Sequence, residues 1–318
     1  MDGFTSRPVL TSDAPALLEI ELAAERAEPA QHFVDLVRIR EELAQPGIDL
    51  EQGSIAVLSG ESIVGVGLLQ ARPAEESWKA GLFGGVLPEF RRRGIGRMIL
   101  DGLQDKALAL RARDGQGDLP GELMMWVGGG RASAAAFGAA AGFSSRRYFF
   151  EMRADLAQDV TTPSVDGIEI RAWSPADDDG ARLAYNEAFA DHWGSTPMTV
   201  DRWRTSFAGS AFFRPEFSRV ALADGTVVGF VMVAEFPAAT EANGHRTGYV
   251  DRVGSVRSVR GRGVAAAMLT DSMRAQRESG CRYAELGVDA DSPTGAGRLY
   301  ERLGYVLLHS NQVLGLDF

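Results

Sequence analysis

Two short turns constrain this chain more than any other feature: Arg91-Arg92-Arg93-Gly94-Ile95-Gly96 and Arg260-Gly261-Arg262-Gly263-Val264-Ala265. Each is an Arg-x-x-Gly-x-Gly/Ala turn that follows an apolar, strand-like run and opens a long helix-like run. Backbone N–H groups at a helix N-terminus lack partners and carry partial positive charge. Glycines let that backbone approach a ligand, and arginines add charge. The product is an anion cradle suited to phosphates. The turns stand 169 positions apart, so the chain builds the same device twice.

The elements around each turn keep one order. In the first half the pattern predicts a strand at 5–10, helices from Thr11-Ser12-Asp13-Ala14-Pro15 and over 33–43, and strands at 55–58, 63–69 and 80–86. The turn and its helix come next, then a strand at 123–127, a helix at 132–141 and extended chain from 142 to about 152. The second half repeats this. It has a strand at 168–171, a helix led by Ser174-Pro175, helical residues 200–207 and a hairpin across Asp224-Gly225. After these come a strand at 248–256, the second turn, a strand at 283–288, a helix at 295–303 and closing strands. Proline at a first helical position and Asp-Gly between apolar runs are the local signals used. Near-constant offsets between matching landmarks point to an internal duplication. Polar, aperiodic residues 157–167 read as a linker between domains at 1–156 and 168–318.

A chain of 318 residues is long for one ordinary domain, and 45% apolar with 24% charged residues lets each half bury a core. The net charge of −10 argues against a nucleic-acid binder, which needs a basic face. Cys281 is the only cysteine, which suits a reducing compartment, and it reads as a small core residue at the start of a strand. No basic-then-apolar signal pattern opens the chain, and no apolar run approaches the roughly 18 residues of a membrane span. A cytoplasmic monomer or homodimer without membrane contact is expected. His32, His245 and His309 show no ligand spacing, so no metal is expected.

The turn after a fourth strand, the helix behind it and the later Leu299-Tyr300-Glu301-Arg302-Leu303-Gly304-Tyr305 resemble the GCN5-related N-acetyltransferases (GNAT). The resemblance covers both halves. Two tandem domains are similar to the mycothiol-synthase-like subgroup of actinobacteria, as is Tyr185-Asn186-Glu187-Ala188-Phe189-Ala190-Asp191-His192. It implies an α/β fold of two tandem GNAT domains, each a mixed, mostly antiparallel sheet flanked by helices. It implies acetyl-CoA as donor, with the pyrophosphate on the amides around Arg91, Arg92, Arg93, Gly94, Ile95 and Gly96 in one half. In the other half the amides are those of Gly261, Arg262, Gly263, Val264 and Ala265. In the family the pantetheine arm pairs with the exposed edge of the fourth strand, here Leu82 to Val86 and Val253-Gly254-Ser255-Val256. A backbone N–H there polarises the thioester carbonyl.

The family's sulfur-protonating tyrosine matches Tyr300, and the corresponding place in the first half is Phe137, which has no proton to give. Chemistry is therefore expected in the second half, with the first a binding or scaffolding domain. For the base, the subgroup's fourth-strand glutamate is replaced by Tyr249. Asp251 lies two positions on, hence on the same face of a regular strand. It is either the base or a partner of Arg252 or Arg257; Glu235 is a second candidate. The loop Asp191-His192-Trp193-Gly194 is the expected acceptor-binding element, or else ordinary packing. The expected activity is N-acetylation of a small primary amine by direct attack in a ternary complex. Acetylation of a cysteinyl pseudodisaccharide, or acyl-CoA binding without catalysis, are the alternatives.

Overall fold

The computed structural model describes residues 3–74, 76–158, 161–190, 197–292 and 295–318. The chain forms two compact units, Met1–Tyr148 with Asn311–Phe318, and Phe149–Ser310.

The first half supplies β1 (Phe4–Arg7), α1 (Ala14–Ala27), α2 (Leu36–Leu43), β2 (Ser54–Ser59), β3 (Ser62–Pro73), β4 (Trp78–Val86), α3 (Ile95–Arg113), β5 (Gly121–Val127), α4 (Ala132–Ala140) and β6 (Ser144–Asp155). The second supplies β7 (Glu169–Ala172), α5 (Asp178–Ala188), α6 (Val200–Trp203), β8 (Arg219–Ala223), β9 (Thr226–Glu235), α7 (Pro237–Asn243), β10 (Thr247–Ser255), α8 (Val264–Glu278), β11 (Tyr283–Asp289), α9 (Ala296–Arg302) and β12 (Val306–Asp317). This is the expected α/β architecture. The short helix α7, an alanine-containing turn closed by Gly244 at φ +71°, is an addition to the expected elements.

The duplication extends to side chains. Asp13 accepts from the Leu10 amide and pairs with Arg7 at 2.6 Å. Asp177 accepts from the Ser174 amide and pairs with Arg171 at 2.7 Å. Both aspartates precede a helix whose first turn contains, or is preceded by, proline, and in each the arginine pins the preceding strand to the helix start. Hairpin β8–β9 turns at Asp224 and Gly225, both with positive φ, as a tight two-residue hairpin requires.

In the first unit the strand order is β1-β2-β3-β4-β5-β12, and in the second β6-β11-β10-β9-β8-β7. Within each, β4–β5 and β10–β11 are parallel pairs in an otherwise antiparallel ladder. The first unit packs α3 around Trp78, Leu103 and Leu123 on one sheet face and α1 and α2 around Ile20 and Ile39 on the other. In the second unit one cluster joins α5, α8 and α9 to the sheet through Phe230, Met268, Leu286 and Tyr300.

The two long strands are divided between units. Residues 312–317 of β12 pair with β5, Gln312 opposite Val127 and Asp317 opposite Glu122. Residues 149–155 of β6 pair with β11, Phe149 opposite Asp289 and Asp155 opposite Tyr283. The expected linker, 157–167, thus falls inside the second unit, and the first unit's sheet is finished by residues from the far end of the sequence. Phe318 stacks edge-on against buried Trp78 with centroids 6.2 Å apart, and Arg111 donates to the Phe318 carbonyl at 3.0 Å.

Leu314 is buried in the first unit's core and meets α4 at Gly138. Leu314→Ala should therefore cost about 2–5 kcal/mol. Hydrogen exchange should locate the loss of protection in β5 and α4, not in β10 and β11. Loss confined to β10 and β11 would contradict this assignment of β12.

Candidate active site

Both parallel pairs stop pairing partway. The β4–β5 ladder runs from Trp78/Gly121 to Leu82/Met125 and ends, although β4 continues against β3 as far as Val86. The β10–β11 ladder runs from Thr247/Tyr283 to Val250/Leu286, although β10 continues against β9 as far as Ser255. One edge of residues 83–86 and of 251–255 is thus left without a strand partner within its unit. Leu82, expected on the free edge, is the last paired residue. Backbone groups in such a gap need a partner, and an extended amide-bearing ligand supplies one.

Beyond each gap lies a cradle. Gly94 and Gly263 are the N-caps of α3 and α8, at φ +84° and +86°, and neither helix start has a side-chain cap. Two positions earlier, Arg92 is at φ +63° and Gly261 at φ +75°. The two turns thus share one backbone conformation, and the first holds a non-glycine residue in a region that glycine occupies without strain. Among the described residues, the amides of Arg92 to Gly96 and of Gly261 to Ala265 donate to no group. A run of free amides at a helix start fits a pyrophosphate.

The arginines of the cradles differ in occupation. Arg260 donates to the Ala188 carbonyl and Arg262 to the Asp166 carbonyl, so both are tethered by neutral oxygens. Arg91 pairs with Glu28 at 2.8 Å, and Glu28 also accepts from the Ser133 amide at 2.8 Å and from the Ser133 hydroxyl. Ser133 first, and then Arg91, hold the Glu28 carboxyl below its ordinary range. Arg131 pairs with Glu25 at 3.0 Å. Pro29 and Ala30 lie so close over Gly130 that a Cβ there would stand 1.8 Å from the Pro29 carbonyl oxygen. In the first unit, then, the end of α1 is tied to the start of α4 beside the cradle residue Arg91.

Tyr300 lies on α9 in the second unit's core, 6% exposed, its ring edge-on to Tyr305 at 5.9 Å. Burial pushes its pKa up to about 12, so the phenol is protonated at neutral pH. Its hydroxyl makes no hydrogen bond among the described residues. The first unit's Phe137, expected in the place of Tyr300, matches Leu299 instead: Phe143 donates to the Gly138 carbonyl as Tyr305 does to that of Tyr300, so Gly138 holds the tyrosine's position and the first unit still lacks the phenol. Phe137 lies beside the cradle, its ring 3.4 Å from where a Cβ on Gly96 would stand.

Sequence reasoning places Asp251 on the same strand face as Tyr249. A β-bulge between Val250 and Arg252 interrupts the alternation on which that placement rests. No such irregularity occurs in β4, whose ladder with β3 is continuous. Asp251 pairs with Arg252 at 2.8 Å, and Arg252 lies over the Phe207 ring at 5.1 Å. Glu235 is 8% exposed and grips Arg246 through both oxygens at 2.6 and 2.9 Å. Arg246 holds the Glu235 carboxyl below its ordinary range. Both carboxylates are thus taken up by guanidinium groups. Cys281 is buried, and burial raises its pKa to about 11, which leaves a core thiol. Asp191, His192 and Trp193 lie outside the described residues. Among the described residues no group of His, Cys, Asp or Glu is arranged to hold a metal, and no helix is long and apolar enough to cross a membrane.

One contact has no signature in the sequence. Tyr249 donates its hydroxyl to Glu151 Oε2 at 3.2 Å. Glu151 is on β6, opposite Gly287 of β11, and reaches across that glycine to β10. It lies in residues that read as the first domain's closing strand, so nothing in the linear pattern links it to the second half.

A parallel strand pair that parts beside a phosphate-binding helix start is the arrangement of an acyltransferase that draws its acyl group from coenzyme A. The acetyltransferase (GNAT) family model matches residues 180–305. Mycothiol acetyltransferase of Thermomonospora curvata is 34% identical over 79% of this chain and 79% of its own length. Mycothiol acetyltransferase of Catenulispora acidiphila is 30% identical over 95% of each. Among solved structures, a GCN5-related N-acetyltransferase from Sphaerobacter thermophilus superposes with a TM-score of 0.74 at 24% identity, covering 100% of this chain and 96% of that one. A tandem GNAT protein from the clavulanic acid biosynthesis pathway gives 0.68 at 19% identity, covering 99% and 98%. The chain belongs to the GNAT acetyltransferase family. It is an acetyltransferase of tandem GNAT architecture that uses acetyl-CoA.

Glu235 serves, in this geometry, to hold Arg246. Its folded-state pKa is depressed, so its stabilisation is present above the unfolded value of about 4.3 and is lost as pH falls through the folded one. Glu235→Gln should lower stability by about 1–2 kcal/mol at pH 7. The gap to the wild type should narrow in urea titrations as pH falls below the unfolded carboxylate value. An unchanged midpoint at pH 7 would remove this structural role.

Proposed function

We propose that the second unit transfers the acetyl group of acetyl-CoA to the primary amine of a small molecule, by direct attack in a ternary complex. The first unit keeps the cradle without chemistry. The observation that carries this reading is Tyr300, a buried phenol; at the matching place, four residues before the glycine that closes the helix, the first unit has Gly138, which has no proton to give. The bulge in β10, with no counterpart in β4, supports the same division. So does the Glu28 bridge beside the first unit's cradle.

Acetyl-CoA supplies the activated thioester. The free amides from Gly261 to Ala265 hold its pyrophosphate. The edge of β10 from Val253 to Ser255, and Val256 beyond it, pairs with the pantetheine arm. A backbone N–H of that edge polarises the thioester carbonyl; aimed donors of this type contribute about 3–4 kcal/mol in acyl-transfer enzymes. Tyr300 gives its proton to the departing sulfur. Because burial keeps this phenol protonated, no neutral-pH loss of the acid is expected. The two relatives named mycothiol acetyltransferase, one matched over 95% of its length, favour a cysteinyl pseudodisaccharide as acceptor.

The test is incubation with acetyl-CoA and cysteinyl-glucosamine, kanamycin or cysteine methyl ester, reading acetylated product by mass. At least one should turn over. Binding of acetyl-CoA with no product from any amine would favour a non-catalytic binding protein. Tyr300→Phe should lower kcat about 100-fold with acetyl-CoA affinity retained, as loss of a general acid does. Gly263→Glu should cut kcat/KM for acetyl-CoA more than tenfold, while Gly94→Glu leaves it near the wild-type value. Equal losses from both glycine variants would sink the division of labour.

A further inference from the structure

Glu151 stands where the second unit's strand pair begins to part. The last β10–β11 pair is Val250/Leu286. The next residue of β11, Gly287, is the register partner of Glu151 on β6. From there the Glu151 carboxylate extends over Gly287 and meets the Tyr249 hydroxyl of β10 at 3.2 Å. Gly287 makes this possible, since a Cβ would stand 3.0 Å from the Tyr249 hydroxyl and 3.2 Å from Glu151 Oε1. The carboxylate is half-buried, not sealed in the core.

The two faces of the sheet separate the groups involved. Gly248 abuts Gln276 of α8, so even-numbered residues at the start of β10 face α8. Tyr249 faces the other way and packs its ring against Phe236, with centroids 6.2 Å apart. Helix α9, which carries Tyr300, lies on the α8 side, where Gly297 and Glu301 line a cavity with Met152 and Val288. Glu151, one residue from Met152, is on the opposite face. The helix that carries the phenol and the carboxylate of Glu151 therefore lie on opposite faces of the sheet.

We propose that Glu151 is the general base of the second unit and that Tyr249 is the residue that positions it. This rests on the acetyl-transfer reading given above. The acceptor's ammonium yields a proton to Glu151 Oε1 or Oε2. Its nitrogen lone pair forms the C–N bond at the thioester carbonyl carbon, and the C–S bond breaks with its electron pair going to sulfur. Sulfur takes the Tyr300 proton. The amide nitrogen's surplus proton leaves to water through Glu151, and Tyr300 is reprotonated from water. The net products are an acetylated amine, free CoA thiol and one proton.

Among the described residues, the titratable and charged groups around this pair are Asp251 and Arg252, which act on Tyr249, and Glu285 on β11 with its partner Arg153 on β6, which act on His309 of β12. Tyr249 stays a neutral donor, because burial and then the Glu151 charge push its pKa well above the ordinary phenol value. Removing this donor should raise the carboxylate's pKa.

The experiment uses the full chain with the fastest acceptor of the three amines named above. Glu151→Gln should lower kcat/KM for the amine about 100- to 1000-fold, with acetyl-CoA affinity by calorimetry within about twofold of wild type. The acidic limb set by the carboxylate should be replaced by a rise that follows loss of the amine's own proton in solution. Glu151→Asp should keep the limb at reduced rate. Tyr249→Phe should move the limb to higher pH, and Gly287→Ala should lower kcat by crowding the pair. A Glu151→Gln rate within about threefold of wild type, with the limb intact, would overturn the assignment while leaving acetyl transfer standing. Absence of product from the wild type with all three amines would overturn both.

Discussion

The whole arrangement depends on parallel strands that stop pairing. A backbone N–H or C=O left in a gap is costly unless something bonds it. Here the gap is built, not incidental. Neighbouring β3 and β9 hold β4 and β10 rigid past the point where β5 and β11 leave them. The exposed edges lead straight to helix starts whose amides are also unspent. A ligand that is extended, amide-bearing and anionic at one end satisfies both sets of groups at once. The acetyl-CoA dependence follows from this pairing of demands more than from any single side chain.

The two units meet those demands differently. In the second, a bulge at Asp251 widens the departure from regular strand and re-aims the residues after it. In the first, the ladder is continuous, Phe137 fills the space near Gly96, and Glu28 ties Arg91 to Ser133. Duplication preserved the turn conformation so closely that Arg92 is held at φ +63° where its counterpart is glycine. The cradle backbone is thus the retained part, and the side chains around the gap are where the halves have drifted.

Much of the fold is legible in the sequence because its signals are local. The Arg-x-x-Gly turns, Pro15, Pro175 and Asp224-Gly225 act within a few residues, and each sits where expected. The tandem fold and the donor are readable from the same turns. What is not legible is non-local. No propensity tells β6 to pair with β11, or β12 with β5, because a strand's partner is set by tertiary packing. Glu151 is hidden for that reason alone: its sequence position belongs to the first half and its side chain to the second unit. The place of Asp251 cannot be read from the rule that strand residues alternate, because the rule lapses at a bulge and no residue type announces a bulge there. The ion pairs of Glu235 and Asp251 depend on Arg246 and Arg252, one of them eleven residues away in sequence.

The division of β12 also bears on how the chain comes to exist during synthesis. Residues 312–317, which complete the first unit's sheet, are made after everything in the second half. The first unit must wait with one edge of β5 unpaired while some 180 residues emerge. An ordinary tandem protein folds its leading domain first and is then indifferent to the domain behind it. Here the leading half cannot complete its sheet until residues 312–317 have been made. An unpaired strand edge is a template for wrong pairing, and contacts distant in sequence form late, so this division of β12 sets a demand on synthesis that neither cleft's chemistry does.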